Sequence, residues 1–250
     1  VYAELYRNPI AGTPRIINYY EEAGQLTVIE EYISGTSLQD KISHADIAPS
    51  DMLQYMLDLC AILEQLHQHN PAIIHRDVKP SNVIITSYNR AVLLDFNAAK
   101  YHTAAKDSDT ILLGTQGYAA PEQYGFGQSS PQTDIYSIGI LLKEMAEASH
   151  CQNPYIDAVT AKCTQMNPAE RYRSIGELRQ AFLANRGVFP YTHADQAFTG
   201  DLSGSSSNRS NAQTQNDPGT SANHMQFAPP GFRSKTPWKM VVALLTYIFL

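Results

Sequence analysis

The residues whose types could carry chemistry are concentrated in two short segments. Residues 75–82 read HRDVKPSN, and residues 95–97 read DFN. Phosphoryl transfer needs a carboxylate that orients a hydroxyl, oxygen ligands for Mg²⁺, and a cation for the developing charge. These groups are supplied by Asp77, Asn82, Asp95 and Lys79. The two segments are therefore candidates for one phosphoryl-transfer site.

A short predicted hairpin separates the two segments and would bring them together. Its strands are the apolar runs 82–86 and 91–94, and its turn is the polar stretch 87–90. A helix is predicted just before it, over 50–69, because apolar residues recur there at intervals of three and four. This arrangement places the candidate side chains on turns beside rigid elements.

The remaining globular part begins with strands and ends with helices. The β-branched and aromatic runs 15–20 and 25–33 predict a hairpin. Helices are predicted beyond residue 130, where apolar residues again follow a helical period, and over 154–166 and 175–183. The predicted fold class is α+β.

Composition excludes several classes of protein. The chain has 24 acidic residues and 18 Lys and Arg. The resulting net charge of −6 argues against a nucleic-acid binder. Three cysteines without a CxxC pair predict neither a disulfide framework nor a zinc site, and favour a reducing compartment. Residues 203–224 contain no Val, Ile, Leu, Met, Phe, Tyr or Trp. We therefore expect residues 191–236 to form a disordered linker.

The order of the motifs resembles that of the eukaryotic-type (Hanks-type) serine/threonine protein kinases, in particular the membrane-anchored bacterial kind. After HRDVKPSN and DFN come GTQGYAAPE at 114–122, DIYSIG at 134–139 and NPAERY at 167–172. The resemblance implies that residues 1–190 form a catalytic domain with a kinase-like fold. This domain would be mainly the helical large lobe, with a partial sheet of the small lobe.

The resemblance also implies roles for individual residues. Asp77, Lys79 and Asn82 would be the catalytic set, and Asn82 and Asp95 would ligate Mg²⁺. ATP would be bound by Lys79 and Asp95, by the backbone of Glu31 and Ile33, and by the apolar side chain of Ile84. Lys79, two residues after Asp77, resembles the serine/threonine branch of the family.

Further residues would support this site. By resemblance, Asp134 would brace the catalytic loop, Arg171 would pair with Glu122, and His75 would stack near Phe96 rather than act as a base. Arg76 resembles residues that hold a phosphorylated activation loop. The candidate phosphorylation sites are Thr103, Ser108 and Thr110. The other histidines, among them His67 and His69, are interpreted as surface or helix-end residues.

The chain departs from the family pattern in several places. No glycine-rich loop and no VAIK-type lysine precede residue 26. We therefore expect a truncated small lobe, and little or no kinase activity from residues 1–250 alone. Glu4 has the spacing of the family's helix C glutamate relative to Pro14.

Two single positions also depart from the pattern. Asn97 stands where the family has Gly, and Asn tolerates left-handed backbone. Glu30 falls where the family is usually apolar, so either it pairs with the missing lysine or this alignment is off by one.

The chain ends with eleven uncharged residues after Lys239. Residues 237–250 are interpreted as the start of a transmembrane helix that is cut short, since a full span needs about 20 residues. The alternative is a buried or docking helix. The basic residues before the run predict a single-pass membrane protein with a cytoplasmic kinase domain.

The leading hypothesis is a membrane-tethered signalling kinase that transfers the γ-phosphoryl group of ATP to Ser or Thr hydroxyls of proteins. Its partners would be protein substrates, ATP with Mg²⁺, the membrane, and a second copy of itself for autophosphorylation, but not nucleic acid. One alternative is a pseudokinase or partner-binding module without phosphotransfer. The other, less favoured, is a small-molecule phosphotransferase.

Overall fold

The computed structural model describes residues 1–102, 115–125 and 127–188. The candidate phosphorylation sites Thr103, Ser108 and Thr110 lie outside these residues, as do the linker 191–236 and the apolar segment 237–250. Within the described ranges, no helix has the length and hydropathy needed to cross a membrane.

The first part of the chain is a helix followed by a hairpin. Helix α1 spans Tyr2–Arg7, strand β1 spans Ile16–Glu22 and strand β2 spans Gln25–Glu30. The strands pair antiparallel, and the turn residues Ala23 and Gly24 have positive φ values of 51° and 78°. These values are typical of a type I′ turn, in which glycine is favoured because it lacks a Cβ. The hairpin prediction is confirmed, although β2 ends at Glu30 rather than at residue 33.

A second, three-stranded sheet carries the turns of the candidate site. Strand β3 (Gly35–Ser37) leads into the short helix α2 (Leu38–Ser43) and the long helix α3 (Pro49–Gln68). Strands β5 (Val83–Thr86) and β6 (Ala91–Leu93) form the predicted hairpin, and β5 also pairs with β3. Gly35 is required there because a Cβ would collide with the carbonyl of Ile85. A separate pair of two-residue strands joins β4 (Ile73–Ile74) to β7 (Lys100–Tyr101).

The later part of the described chain is helical, as predicted. It contains α4 (Pro131–Ala148), α5 (Pro154–Cys163) and α6 (Ile175–Ala184). Among the described residues there are four short 3₁₀ helices, at Pro80–Asn82, Pro121–Tyr124, Pro168–Glu170 and Arg186–Val188. Helix α5 ends three residues before the predicted limit, at Cys163.

The hydrophobic core surrounds α3. Its inward face, which includes Met56, Leu59 and Leu63, is completely buried. Apolar residues of α4 and α6 pack in the same cluster, as do residues of the β5–β6 hairpin. Burial of large apolar side chains stabilises the fold by about 1.5–3 kcal/mol each. The turns at residues 75–82 and 94–97 therefore lie on a well-packed support.

Candidate active site

Asp77 lies at the centre of a group of polar side chains. Its Oδ1 atom accepts a hydrogen bond of 2.7 Å from Thr115, and its Oδ2 atom accepts one of 2.7 Å from Lys79 Nζ. Asn82 Nδ2 donates to the backbone carbonyl of Asp77 at 2.9 Å and to Oδ2 at 3.1 Å. Burial opposes ionisation of the carboxyl, but Lys79, Thr115 and Asn82 outweigh it and lower the pKa of Asp77. The carboxylate is ionised at neutral pH and held in one orientation.

Thr115 is a member of this group that the sequence did not single out. Its hydroxyl also accepts a hydrogen bond of 2.8 Å from Lys79 Nζ. Thr115 was noticed only as part of the 114–122 motif, because nothing in the local pattern relates it to Asp77, which is 38 residues away. The contact exists only once residues 115–125 have folded against the turn at 75–82.

The backbone before Asp77 is fixed by Asp134 of α4. Asp134 Oδ2 and Oδ1 accept hydrogen bonds from the N–H groups of His75, at 3.0 Å, and of Arg76, at 2.8 Å. Arg76 has a φ of +71°, a left-handed conformation that costs a non-glycine residue free energy and persists only where neighbours impose it. The predicted bracing role of Asp134 is confirmed by these contacts.

His67 lies in the last turn of α3, as one of the two interpretations from the sequence had it, but it is buried and not on the surface. Its side chain is 7 % exposed, and its Nε2 atom lies 2.8 Å from Asp134 Oδ2. Full burial of Asp134 opposes ionisation, but His67, His75 and the Arg76 N–H together lower its pKa. A buried carboxylate needs such partners, because an unpaired one is strongly destabilising. The helical period of α3 did not reveal this contact.

The turn that carries Asp95 packs against the same loop. Leu94 N–H donates to the Asn82 carbonyl at 2.8 Å, and His75 Nε2 lies 3.1 Å from the Leu94 carbonyl. The His75 ring meets Phe96 edge-on with 4.9 Å between ring centroids, which confirms the predicted stacking. Asp95 has a φ of +62°, whereas Asn97 has no positive φ. The left-handed residue of this turn is therefore Asp95 and not, as expected, Asn97.

The donor set of this region fits a nucleotide-borne Mg²⁺. Because Asn82 Nδ2 is committed to Asp77, its Oδ1 is left without a donor among the described residues. Asp95 is half-buried and contributes a carboxylate from the adjoining turn. No cluster of three or more His, Cys, Asp or Glu in the described chain could hold a metal ion. Mg²⁺ needs no such cluster, because it binds one or two protein oxygens together with substrate phosphates and water.

The chain between β2 and β3 offers free backbone groups beside Ile84. Glu31 N–H donates to the Arg15 carbonyl at 2.9 Å. The Glu31 carbonyl and both backbone groups of Ile33 have no hydrogen-bond partner within the described residues. Ile84 is half-buried on β5, next to Gly35. Unpaired backbone groups and an apolar side chain are therefore present among the residues for which the sequence predicts adenine binding.

Glu30 closes β2 opposite Ile16. Burial and the charge of Asp95 raise the pKa of Glu30. No cation of the described residues is within ion-pair distance of Glu30, and the effects that raise its pKa are burial and Asp95. Tyr2 of α1 lies near the same two carboxylates, and burial together with their charges raises the pKa of Tyr2 to about 12.

Comparison with known proteins agrees with this geometry. Residues 11–182 match the model of the protein kinase domain. The chain belongs to the protein kinase family. The matched region contains all the strands described above and the helices from α2 to most of α6, and the predicted α+β kinase-like fold is confirmed.

Relatives of this kinase domain occur in bacteria and plants. The chain is 30% identical over 227 residues to serine/threonine-protein kinase PknB of Mycolicibacterium smegmatis, covering 76% of this chain and 36% of PknB. It is 32% identical over 207 residues to serine/threonine-protein kinase D of Synechocystis sp., covering 71% and 40%. A leucine-rich repeat receptor-like serine/threonine-protein kinase of Arabidopsis thaliana is 38% identical over 136 residues, covering 52% and 16%. The chain thus spans less than half the length of these relatives.

A buried ion pair holds the kinase segment that carries Thr115. Arg171 NH1 and NH2 donate to Glu122 Oε1 and Oε2 at 2.8 and 2.9 Å, as predicted. Thr133 donates a further hydrogen bond of 2.8 Å to Glu122 Oε1. A two-pronged Arg–carboxylate contact fixes direction as well as distance. The 3₁₀ turn containing Glu122 is thereby attached to the helical part of the domain.

Glu4 is engaged by two neighbouring side chains. Its Oε1 atom lies 3.0 Å from His69 Nε2 and also accepts a hydrogen bond from Asn8. His69 follows α3, on the side of the large lobe. Glu4 thereby attaches α1 to the residue that follows α3, and the role implied by its spacing to Pro14 stays a prediction.

Proposed function

We propose that this protein is an ATP-dependent serine/threonine protein kinase, which transfers the γ-phosphoryl group of ATP to Ser or Thr hydroxyls of proteins. The observation that carries this proposal is the environment of Asp77. One carboxylate is kept ionised by a lysine, a threonine and an asparagine, beside a second carboxylate suited to Mg²⁺. Few other reactions need this combination.

In this mechanism Asp77 is the catalytic residue that receives the acceptor hydroxyl. Among the described residues, Oδ1 accepts only from Thr115, so it retains a lone pair for that hydroxyl. The hydroxyl oxygen forms a bond to the γ-phosphorus as the bond to the β,γ-bridging oxygen breaks, and the hydroxyl proton passes to Asp77. Because its pKa is lowered, Asp77 is a weak base, and most of the rate gain comes from orientation and electrostatics.

The other residues prepare the phosphate side of the reaction. Lys79 Nζ, held between Asp77 and Thr115, would stabilise the negative charge on the transferred group. Asn82 and Asp95 would hold Mg²⁺, which would supply positive charge to neutralise the phosphates. The backbone of Glu31 and Ile33, with the side chain of Ile84, would bind the adenine.

The choice of Ser or Thr as acceptor is supported by two observations. Lys79 contacts both Asp77 and Thr115, so all three side chains surround the position of the acceptor hydroxyl. In addition, PknB, kinase D and the plant receptor-like kinase all carry the serine/threonine designation. A tyrosine acceptor would need a deeper site to bring its more distant hydroxyl to the same carboxylate.

Membrane attachment and self-association complete the proposal. The apolar run after Lys239 and the polar segment 191–236 before it would tether the kinase domain to the cytoplasmic face of a membrane. Such a tether would let two copies meet for autophosphorylation. Fractionation of cells that express the full-length protein tests this part, and recovery in the soluble fraction would contradict it.

The catalytic proposal is tested with purified full-length protein and ATP labelled on the γ-phosphate. We expect Mg²⁺-dependent labelling of the protein itself and of casein, with phosphoserine or phosphothreonine after hydrolysis. Nucleotide binding without any transfer would favour the partner-binding module. Labelling of aminoglycosides but not of proteins would favour the small-molecule phosphotransferase. Protein with the Asp77→Asn substitution, purified in the same way, serves as the control for labelling by contaminating kinases.

A further inference from the structure

The turn that carries Asp95 is held from two sides by different parts of the molecule. On the side of the large lobe, Leu94 is bonded to Asn82 and His75, and Phe96 packs on the His75 ring. These contacts fix the residues directly before and after Asp95. They do not reach its carboxylate.

The carboxylate is linked to the other side through Asn97. The backbone N–H of Asn97 donates to Asp95 Oδ1 at 3.1 Å. The side chain of the same residue accepts a hydrogen bond of 3.0 Å from the Tyr2 hydroxyl, 95 residues earlier in the chain. A two-step connection therefore runs from α1 through Asn97 to Asp95.

The side chain of Asn97 is what distinguishes this turn. Because Asn97 has no positive φ, its backbone does not require glycine, and the left-handed conformation falls on Asp95. A glycine at position 97 would keep the N–H that bonds Asp95, but it would lose the acceptor for Tyr2. A left-handed non-glycine residue persists only where its surroundings impose that conformation. Asn97 adds such a restraint from outside the large lobe.

We propose that Tyr2 and Asn97 are positioning residues for Asp95, which make binding of the Mg²⁺–nucleotide complex depend on the placement of α1. This inference rests on the proposed function, since it assigns Asp95 to Mg²⁺. It gives α1 a direct effect on the metal ligand. The attachment of α1 through Leu5, Glu4 and His69 would then determine where the carboxylate lies.

A purely structural role for the same hydrogen bond makes a different prediction. If Tyr2 only holds α1 in place, its loss would loosen the helix and would affect nucleotide binding with and without Mg²⁺ alike. If Tyr2 positions Asp95, removing its hydroxyl weakens nucleotide binding only when Mg²⁺ is present. The two roles are therefore separable by binding measurements.

The experiment measures ADP binding to the full-length protein by titration calorimetry, with and without Mg²⁺. The variants are Tyr2→Phe, Asn97→Ala and the double substitution, and Tyr6→Phe is the control. Tyr6 lies on the same helix, and its hydroxyl has no hydrogen-bond partner in the described part of the chain. Both test variants keep the backbone and remove one side of a single hydrogen bond.

We expect each single variant to bind ADP about threefold to tenfold more weakly in Mg²⁺, the range for one hydrogen bond. Binding without Mg²⁺ should be unchanged, and the double variant should be no weaker than either single one. Tyr6→Phe should match the wild type. In the protein without nucleotide, hydrogen exchange at residues 94–98 should be faster in the variants, with melting temperatures unchanged.

The inference is overturned if the two substitutions add, or if binding weakens equally without Mg²⁺. It is also overturned if wild-type protein binds Mg²⁺–ADP and transfers phosphate while Tyr2→Phe behaves identically. Failure of the proposed function looks different, because the wild type itself would then show no Mg²⁺-dependent nucleotide binding or no phosphotransfer.

Discussion

Asp77 and Asp95 are both carboxylates on turns beside the β5–β6 hairpin, but they are held in different ways. Asp77 accepts from three side chains, so each carboxylate oxygen has at least one partner, and Oδ1 retains one lone pair. Asp95 accepts one backbone hydrogen bond, from Asn97. Asp77 is therefore preorganised to accept a hydrogen bond from one hydroxyl. Asp95 leaves coordination positions open for a cation and relies on its neighbours for placement.

The strongest test of this difference is Asp77→Asn. Loss of the charge removes the acceptor for the substrate hydroxyl, so we expect phosphoryl transfer to fall by about 10²–10⁴-fold. Affinity for Mg²⁺–ADP should change by less than about threefold, because Asp77 does not ligate the metal. Steady-state kinetics and calorimetry check the two parts. Asp157→Asn, on the exposed face of α5, is the matched control and should be fully active.

The segment that presents Thr115 to Asp77 depends on the Glu122–Arg171 pair. Arg171→Met would leave a buried carboxylate without its partner, and we expect the free energy of unfolding to fall by about 3–5 kcal/mol. Urea denaturation measures this loss. Lys162→Met breaks an exposed pair with Glu177 instead, at 3.4 Å, and should cost less than about 1 kcal/mol. Equal losses in the two variants would contradict the importance of burial.

Substitution of Asp95 should mainly change nucleotide affinity, whereas substitution of Asp77 should mainly change the rate of phosphoryl transfer. Asp95→Asn removes the charge of the ligand proposed for Mg²⁺, and we expect Mg²⁺-dependent ADP binding to weaken by about 10- to 100-fold. ADP binding without Mg²⁺ should not weaken, because in the absence of the metal the negative charge of Asp95 does not attract the phosphates. The same calorimetric titrations measure both quantities. Unchanged Mg²⁺ dependence would remove Asp95 from the metal site.

A smaller effect is expected where a neutral side chain supports Asp77. Thr115→Val removes the hydrogen bond to Oδ1 and should lower kcat about fivefold to tenfold with little change in KM for ATP. Thr115→Ser keeps the hydroxyl and should restore most of the activity. If Ser and Val were equally impaired, the threonine would act through its methyl group and not through the hydrogen bond.

The smallest expected effect concerns the attachment of α1. The Pro71 carbonyl and Glu4 raise the pKa of His69, while hydrogen bonds from His69 and Asn8 lower the pKa of Glu4. The ion pair therefore contributes fully between their ordinary values of 4.5 and 6.5, and weakens as pH rises through the raised pKa of His69. Hydrogen exchange of α1, corrected for intrinsic rates, should show less protection at pH 8 than at pH 5.5. In His69→Gln this pH dependence should vanish.

Much of the fold could be predicted because its signals are local. The β5–β6 hairpin and α3 appear directly in the alternation and the three-to-four spacing of apolar residues. The strands β4 and β7 have two residues each, which is too short for any period, so they were missed. Helix α2 was missed for a similar reason, since six residues make less than two turns.

The candidate site was predictable as a set of residues but not as a set of contacts. Asp77, Asn82 and Asp95 stand in motifs whose order gives their roles by resemblance. The contacts of Thr115 with Asp77 and of His67 with Asp134 join residues 38 and 67 positions apart. Such contacts depend on tertiary packing, and a single sequence contains no local signal for them. Glu4 is a similar case, because its spacing to Pro14 gave no sign of its contact with His69.

The Glu122–Arg171 pair also has a consequence for the order of events during synthesis. Its two residues are 49 positions apart, so at about 5–20 residues per second Glu122 is made several seconds before its partner. During that interval Glu122 lacks the Arg171 guanidinium. Burial of its carboxylate is therefore unfavourable, and the turn that contains it is not yet stabilised against the helices. The 3₁₀ turn Pro121–Tyr124 is thus among the last parts of the domain to be fixed in place on the ribosome, after α3 and the turn at residues 75–82 have been synthesised.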